Sequence, residues 1–211
     1  FLTTNKADFV TNLRRCLLFN IMANFGELVL VIGDLHMPQR AADIPAKFKK
    51  MLVPNKMQHV LCTGNLTTRE SHDMLRNLAP NVHVVRGDFD DQQNLPEQKT
   101  VMIGAFKIGL LHGHQVVPWG SLSALAMKAR ALDCDILISG HTHESAVTRK
   151  DGIWYINPGS VTGAYSPTGG GDVPSFILLA VQGEKVVCYC YKYNEAKDSV
   201  EVSKTEFSKG E

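Results

Sequence analysis

Past Glu27 the chain alternates short apolar runs with polar turns. Residues 28–32 (LVLVI) form an apolar run over the length of one strand, ending in the first of a series of glycine-containing turns. Runs of the same kind recur at 59–63, 82–85, 107–111 and 135–138, with a further strand at 100–103. Between them, Pro45–Leu52 reads as a short basic amphipathic helix, and Arg69–Leu78 as a longer one with Met74, Leu75 and Leu78 on one stripe. Ser121 is a fitting N-cap for a third helix carrying Leu122, Leu125, Ala126 and Ala129 at helical spacing. The texture then changes to hairpins. SAVTR and IWYIN flank Lys150-Asp151-Gly152, Ser175–Val181 and Lys185–Tyr193 flank Gln182-Gly183-Glu184, and residues 198–207 alternate as a last strand. βαβ-like units followed by antiparallel strands predict an α/β fold, two packed mixed β-sheets flanked by helices.

The chain's 211 residues suit a single domain, placed at 26–208, with residues 1–25 read as an extension outside it. A net charge of +1 gives no electrostatic reason to expect nucleic acid as a partner. Five cysteines, odd in number and without a C-x-x-C pair, point to a reduced intracellular protein. No apolar run approaches the roughly 20 residues of a membrane span. Arg14-Arg15 before residues 16–22 imitates a signal peptide, but the run is short and broken by Asn20. Direct insertion into a membrane is not expected.

The candidate chemistry lies in five short turns: Gly33-Asp34-Leu35-His36, Gly64-Asn65, Gly87-Asp88-Phe89-Asp90, His112-Gly113-His114 and Gly140-His141-Thr142-His143. Most directly follow a predicted strand, which places their side chains at strand carboxyl ends, where open α/β sheets build sites. Carboxylate, imidazole and amide groups converging from five loops suit a pair of divalent cations. In this order the turns resemble the signature of the calcineurin-like metallophosphoesterases, whose fold is an α/β/β/α sandwich. The resemblance implies one metal on Asp34, His36 and His143, a second on Asp88, His112 and His141, and Asn65 at the bridging position. Zn²⁺ or Mn²⁺, weakly held, is the implied cofactor. His114 is then a structural neighbour.

Two departures matter. Asn65 stands where that family places its bridging aspartate, and Asp88 where it places asparagine, so the formal charge of the ligand set is unchanged while its position moves. Phe89 replaces the histidine that would handle phosphate or protonate the leaving group. The resemblance therefore implies a degenerate site with no catalytic residue, active hydrolysis of phosphodiesters being the alternative.

CTGNL, VRGDFD, PEQK, HGHQVVPWG, ISGHTHE, INPGS and TGAY resemble one branch of that family, the small subunits of the retromer cargo-recognition complex. This implies a cytoplasmic scaffold, peripheral on endosomal membranes, docked by its metal-pocket face on an α-solenoid subunit. Val116, Val117, Pro118 and Trp119 follow the His112 turn as candidate contacts. In Ser175–Val181 both faces are apolar, and the resemblance makes Leu178 and Tyr191 candidates for a second patch that binds a regulator. His59, His72 and His83 read as surface or packed histidines, and Gly169-Gly170-Gly171 as a loop, since no P-loop Lys-Ser/Thr follows.

Overall fold

The structure is a computed structural model and describes residues 26–91, 94–167 and 172–210. The extension at 1–25 and the triple-glycine loop lie outside the described residues. Two sheets carry the fold. The six-stranded sheet runs β11(Ser199–Ser208), β10(Lys185–Asn194), β9(Ser175–Gln182), β1(Glu27–Ile32), β2(His59–Cys62), β3(Asn81–Val84). The five-stranded sheet runs β4(Gln98–Ile103), β5(Phe106–Leu111), β6(Ile136–Ile138), β8(Ile153–Asn157), β7(Ala146–Lys150). Strands β1, β2 and β3 are parallel, as are β5, β6 and β8, while β9–β10–β11, β4–β5 and β7–β8 are antiparallel.

The apolar run of β1 is explained by its two faces. Val29 and Val31 enter the core between the sheets with Leu61, Ile108, Leu110, Ile136 and Ile177. Leu30 and Ile32 point to the opposite side and pack with Phe48, Leu75 and Phe176, beneath helices α1(Ala46–Met51) and α2(Arg69–Leu78). A third cluster, with Leu111, Leu125, Ala129 and Leu137, seats α3(Leu122–Leu132) on the second sheet. The result is the expected α/β/β/α layering. Ser121 caps α3 by accepting from the Ala124 N–H, and Thr68 caps α2 by accepting from the Ser71 N–H, each satisfying an orphan donor of the first turn.

Differences from the sequence expectation are confined to strand ends. Asp135 falls just before β6; its N–H donates to Lys107 O at 2.8 Å, its carbonyl accepts from the Trp154 N–H at 3.1 Å, and its carboxylate accepts from the Lys107 N–H and from Lys209 Nζ. No described helix is long and apolar enough to cross a membrane. Cys62, Cys134, Cys188 and Cys190 are free and buried.

Gly64, between β2 and the Asn65 turn, sits at φ +102°, and an added Cβ would lie 2.6 Å from the Gly87 amide nitrogen and 2.7 Å from the Val85 carbonyl oxygen. Both obstacles are backbone and cannot swing away. Gly64→Ala is expected to destabilise the fold by about 1–3 kcal/mol, read as a lowered urea midpoint at unchanged m-value.

Candidate metal centre

The turns at the carboxyl ends of β1, β2, β5 and β6 are knitted to one another through their backbones. The Asp34 N–H donates to Gly64 O at 3.0 Å, His36 N–H to Asn65 O at 3.0 Å, and Gly140 N–H to His112 O at 2.7 Å. Asp34, His36, Asn65, His141 and His143 all have positive φ, between 46° and 72°. Non-glycine residues hold that conformation only when surrounding contacts impose it, and it turns each side chain inward here. Gly140 is glycine because of close approach, since a Cβ there would lie 2.7 Å from Asp34 Oδ2.

Two ligand triads result. The donor atoms of Asp34, His36 and His143 lie within 4.8 Å of one another, and so do those of Asp88, His112 and His141. In the first, His143 Nε2 is 3.5 Å and His36 Nε2 3.8 Å from Asp34 Oδ1. In the second, Asp88 Oδ1 is 2.9 Å from His112 Nε2 and 3.6 Å from His141 Nδ1. His112 Nδ1 donates to Thr63 O at 2.7 Å and His143 Nδ1 to Ala164 O at 2.6 Å. Those bonds commit the Nδ1 atoms as donors, so Nε2 of each ring faces the pocket, as metal-ligating histidines require. Oxygen and imidazole donors, one carboxylate per triad, suit Zn²⁺ or Mn²⁺. The residues fit such ions.

Asn65 differs from the expectation for a ligand. Its Nδ2 points into the pocket, 3.1 Å from Asp34 Oδ1, 3.0 Å from Asp88 Oδ1 and 3.2 Å from both His36 Nε2 and His112 Nε2. Its Oδ1 accepts from the Phe89 N–H at 2.9 Å. An amide nitrogen has no lone pair to give a cation, so Asn65 in this orientation links the two carboxylates as a donor and does not ligate.

Charge follows geometry. Burial pushes the Asp34 carboxyl up, but His112 and His143 outweigh it and hold Asp34 below the usual carboxylate range. Burial acts on Asp88 in the same sense and is again overcome, by hydrogen bonds from His112, His141 and Asn65, so Asp88 also titrates low. Burial lowers His112 and His143, yet the neighbouring carboxylates raise both above the ordinary imidazole value. Burial lowers His36 to about 4, with Asp34 opposing.

Several residues outside the two triads also build the site. Asp90 accepts from the Asn65 N–H at 2.8 Å, the Thr67 N–H at 3.0 Å and the Gly87 N–H at 2.9 Å, clamping two turns with one carboxylate. Ser160 Oγ donates to Asp34 O and Thr162 Oγ1 to Leu35 O. Arg40 lies over the Phe89 ring at 4.4 Å and donates to Tyr165 O. Only the INPGS and TGAY strings hinted that the 157–165 stretch belongs here.

The candidate docking residues separate. Val116 is 4% exposed and belongs to the core beneath α3, because the turn needs an apolar plug there; its expected role as a contact is corrected. Val117 is 73% exposed and Trp119 49%, with Pro118 exposed between them. Leu178 and Tyr191 are half-buried on the helix-side face of the six-stranded sheet, Tyr191 stacking on Phe176 at 4.7 Å.

Residues 28–184 match the calcineurin-like phosphoesterase superfamily domain. The vacuolar protein sorting-associated protein 29 of Schizosaccharomyces pombe is 40% identical over 188 residues, 87% of this chain and 100% of the relative. The chain belongs to that family. Among solved structures, the corresponding protein of Cryptosporidium parvum is 44% identical with a TM-score of 0.83, over 88% of this chain and 100% of its own. The wild-type protein of Entamoeba histolytica, solved in complex with zinc, is 50% identical with a TM-score of 0.80, over 86% and 99%.

His112 and His143 have raised pKa values, so cation uptake competes with the protons these rings take up. Raised pKa values mean that the competition grows as pH falls through them and vanishes above them. Zinc titrations in buffers of different ionisation enthalpy are expected to report proton release that grows as pH is lowered, with affinity falling in the same direction. Binding that is independent of buffer and of pH between 6 and 8 would contradict the assignment.

Proposed function

We propose that this chain is a non-catalytic scaffold subunit of the retromer cargo-recognition complex in endosome-to-Golgi transport. It docks by the rim of its metal pocket on the α-solenoid subunit, vacuolar protein sorting-associated protein 35. The observation that carries this reading is the turn after His112, which holds Val117 and Trp119 out of the core beside the pocket. Large apolar and aromatic side chains beside a concave polar site are the composition of an interface centre. Leu178 and Tyr191 form a second, separate apolar patch suited to a regulator. The chain is then cytoplasmic and reaches endosomal membranes through the complex.

Phe89 supports the absence of catalysis. It occupies the position of the family's phosphate-handling histidine, is half exposed, and packs edge-on against His36 with ring centroids 5.3 Å apart. A phenyl ring neither donates a proton nor binds a phosphoryl oxygen, and losing a positioned general acid costs about 10²- to 10⁴-fold in rate. The second reading, a divalent-metal-dependent phosphodiesterase or phosphatase, is favoured by the two retained triads. A bound ion there would supply an activated water and Lewis acidity. The scaffold role needs no ion, and the ion binding itself is weak.

Val117→Asp tests the docking. Because the side chain is largely in solvent, the variant is expected to keep the wild-type thermal midpoint within about 0.5 kcal/mol of stability. Placing a carboxylate in a desolvated contact costs several kcal/mol, so co-purification with the solenoid subunit should be abolished. A stable variant that binds at wild-type affinity moves docking to another surface.

A further inference from the structure

The three ring nitrogens that His112, His143 and His141 turn away from the ligand pocket are not treated alike. His112 and His143 each give theirs to a backbone carbonyl oxygen. His141 presents Nδ1 to Asp88, and its Nε2 is buried with no hydrogen-bond partner. Three rings lie against His141: Trp119 is the nearest, with centroids 4.6 Å apart and planes at 77°, followed by His112 at 5.2 Å and His114 at 6.2 Å. The indole is held in that attitude by its own Nε1–H, which donates to His114 O at 3.0 Å.

We infer that Trp119 is the outer partner of His141, its ring face standing in for the oxygen acceptor that the other two histidines have. An imidazole that ligates through Nδ1 carries its proton on Nε2. A cation on Nδ1 draws electron density from the ring and makes that N–H a stronger donor. The negative face of an indole receives such a group in a near-perpendicular arrangement. Trp119 thereby fixes the tautomer and ring angle of one ligand of the second triad. It is a positioning residue, and it is also half exposed in the turn proposed for docking.

An ion on Asp88, His112 and His141 and a partner seated on Trp119 then favour one another, since each restricts the same indole. Such coupling is reciprocal by linkage. This consequence rests on the docking reading. The contact between Trp119 and His141 does not.

The test is a zinc titration of the isolated chain followed by calorimetry and by indole fluorescence. Trp119→Ala is expected to weaken zinc binding roughly tenfold, the low end for loss of an outer partner of a metal-bound histidine. Trp119→Phe keeps a ring face and should stay close to wild type. Zinc should also change the wild-type emission, and that change should be missing in Trp119→Phe, which leaves Trp154 as the remaining tryptophan. Unaltered zinc affinity in Trp119→Ala overturns the assignment, and so does equal loss in Ala and Phe variants, which would mean that the ring face is not what His141 needs. A chain that behaves as expected toward zinc but fails to hold the solenoid subunit refutes the docking reading and leaves the role of Trp119 standing.

Discussion

Asp34 is wholly buried, and a carboxylate removed from water is tolerated only where donors or cations meet it. In this protein they arrive from every turn of the site. The His141 N–H donates to Asp34 Oδ2 at 3.0 Å, Asn65 Nδ2 donates to Oδ1, and His143 and His112 stand within 3.5 and 3.9 Å. Asp34 itself holds a left-handed backbone conformation, fixed by its N–H to Gly64 O and its carbonyl to Ser160 Oγ. Both sheets end at this one anion, so strand register, turn conformation and side-chain protonation are parts of the same problem. Gly33, Gly64, Gly87 and Gly140 permit the convergence, each because a Cβ would strike a neighbouring turn.

Positions 65 and 88 set the character of the pocket. The Asn65 amide sits between the two triads and gives its N–H groups to Asp34 and Asp88. The two carboxylates thereby find donors within the pocket, in the amide and the imidazoles, while His141 Nε2 has no hydrogen-bond partner. The exposed turn at Val117 and Trp119 grows from the same loop that delivers His112, so the rim inherits the rigidity of the pocket.

Much of this was legible in the sequence because its signals were local. The run at 28–32 announced a strand, and the structure adds that Val29 and Leu30 go to different cores. Four of the five turns announced the ligand-type residues of the two triads, by polar side chains beside a glycine. What stayed hidden depended on direction. Nothing local says that the Asn65 amide turns its nitrogen inward, since that is decided by the Phe89 N–H across the pocket. The clamp made by Asp90 needs three amides from two turns, 25 residues apart at most. Val116 and Val117 are identical in sequence terms, and only the packing of α3 distinguishes plug from surface.

Under the proposed function, the pocket keeps an ion-holding geometry while Asn65 and Phe89 remove its chemistry. The most direct measurement is turnover of a chromogenic phosphodiester with Mn²⁺ by the wild-type chain and by the Asn65→Asp/Phe89→His double variant. The account predicts wild-type rates at the level of metal in buffer, with a gain in the double variant of about 10²-fold or more, as a restored general acid would give. Robust, metal-dependent hydrolysis by the wild-type chain that is lost on His112→Ala would contradict it.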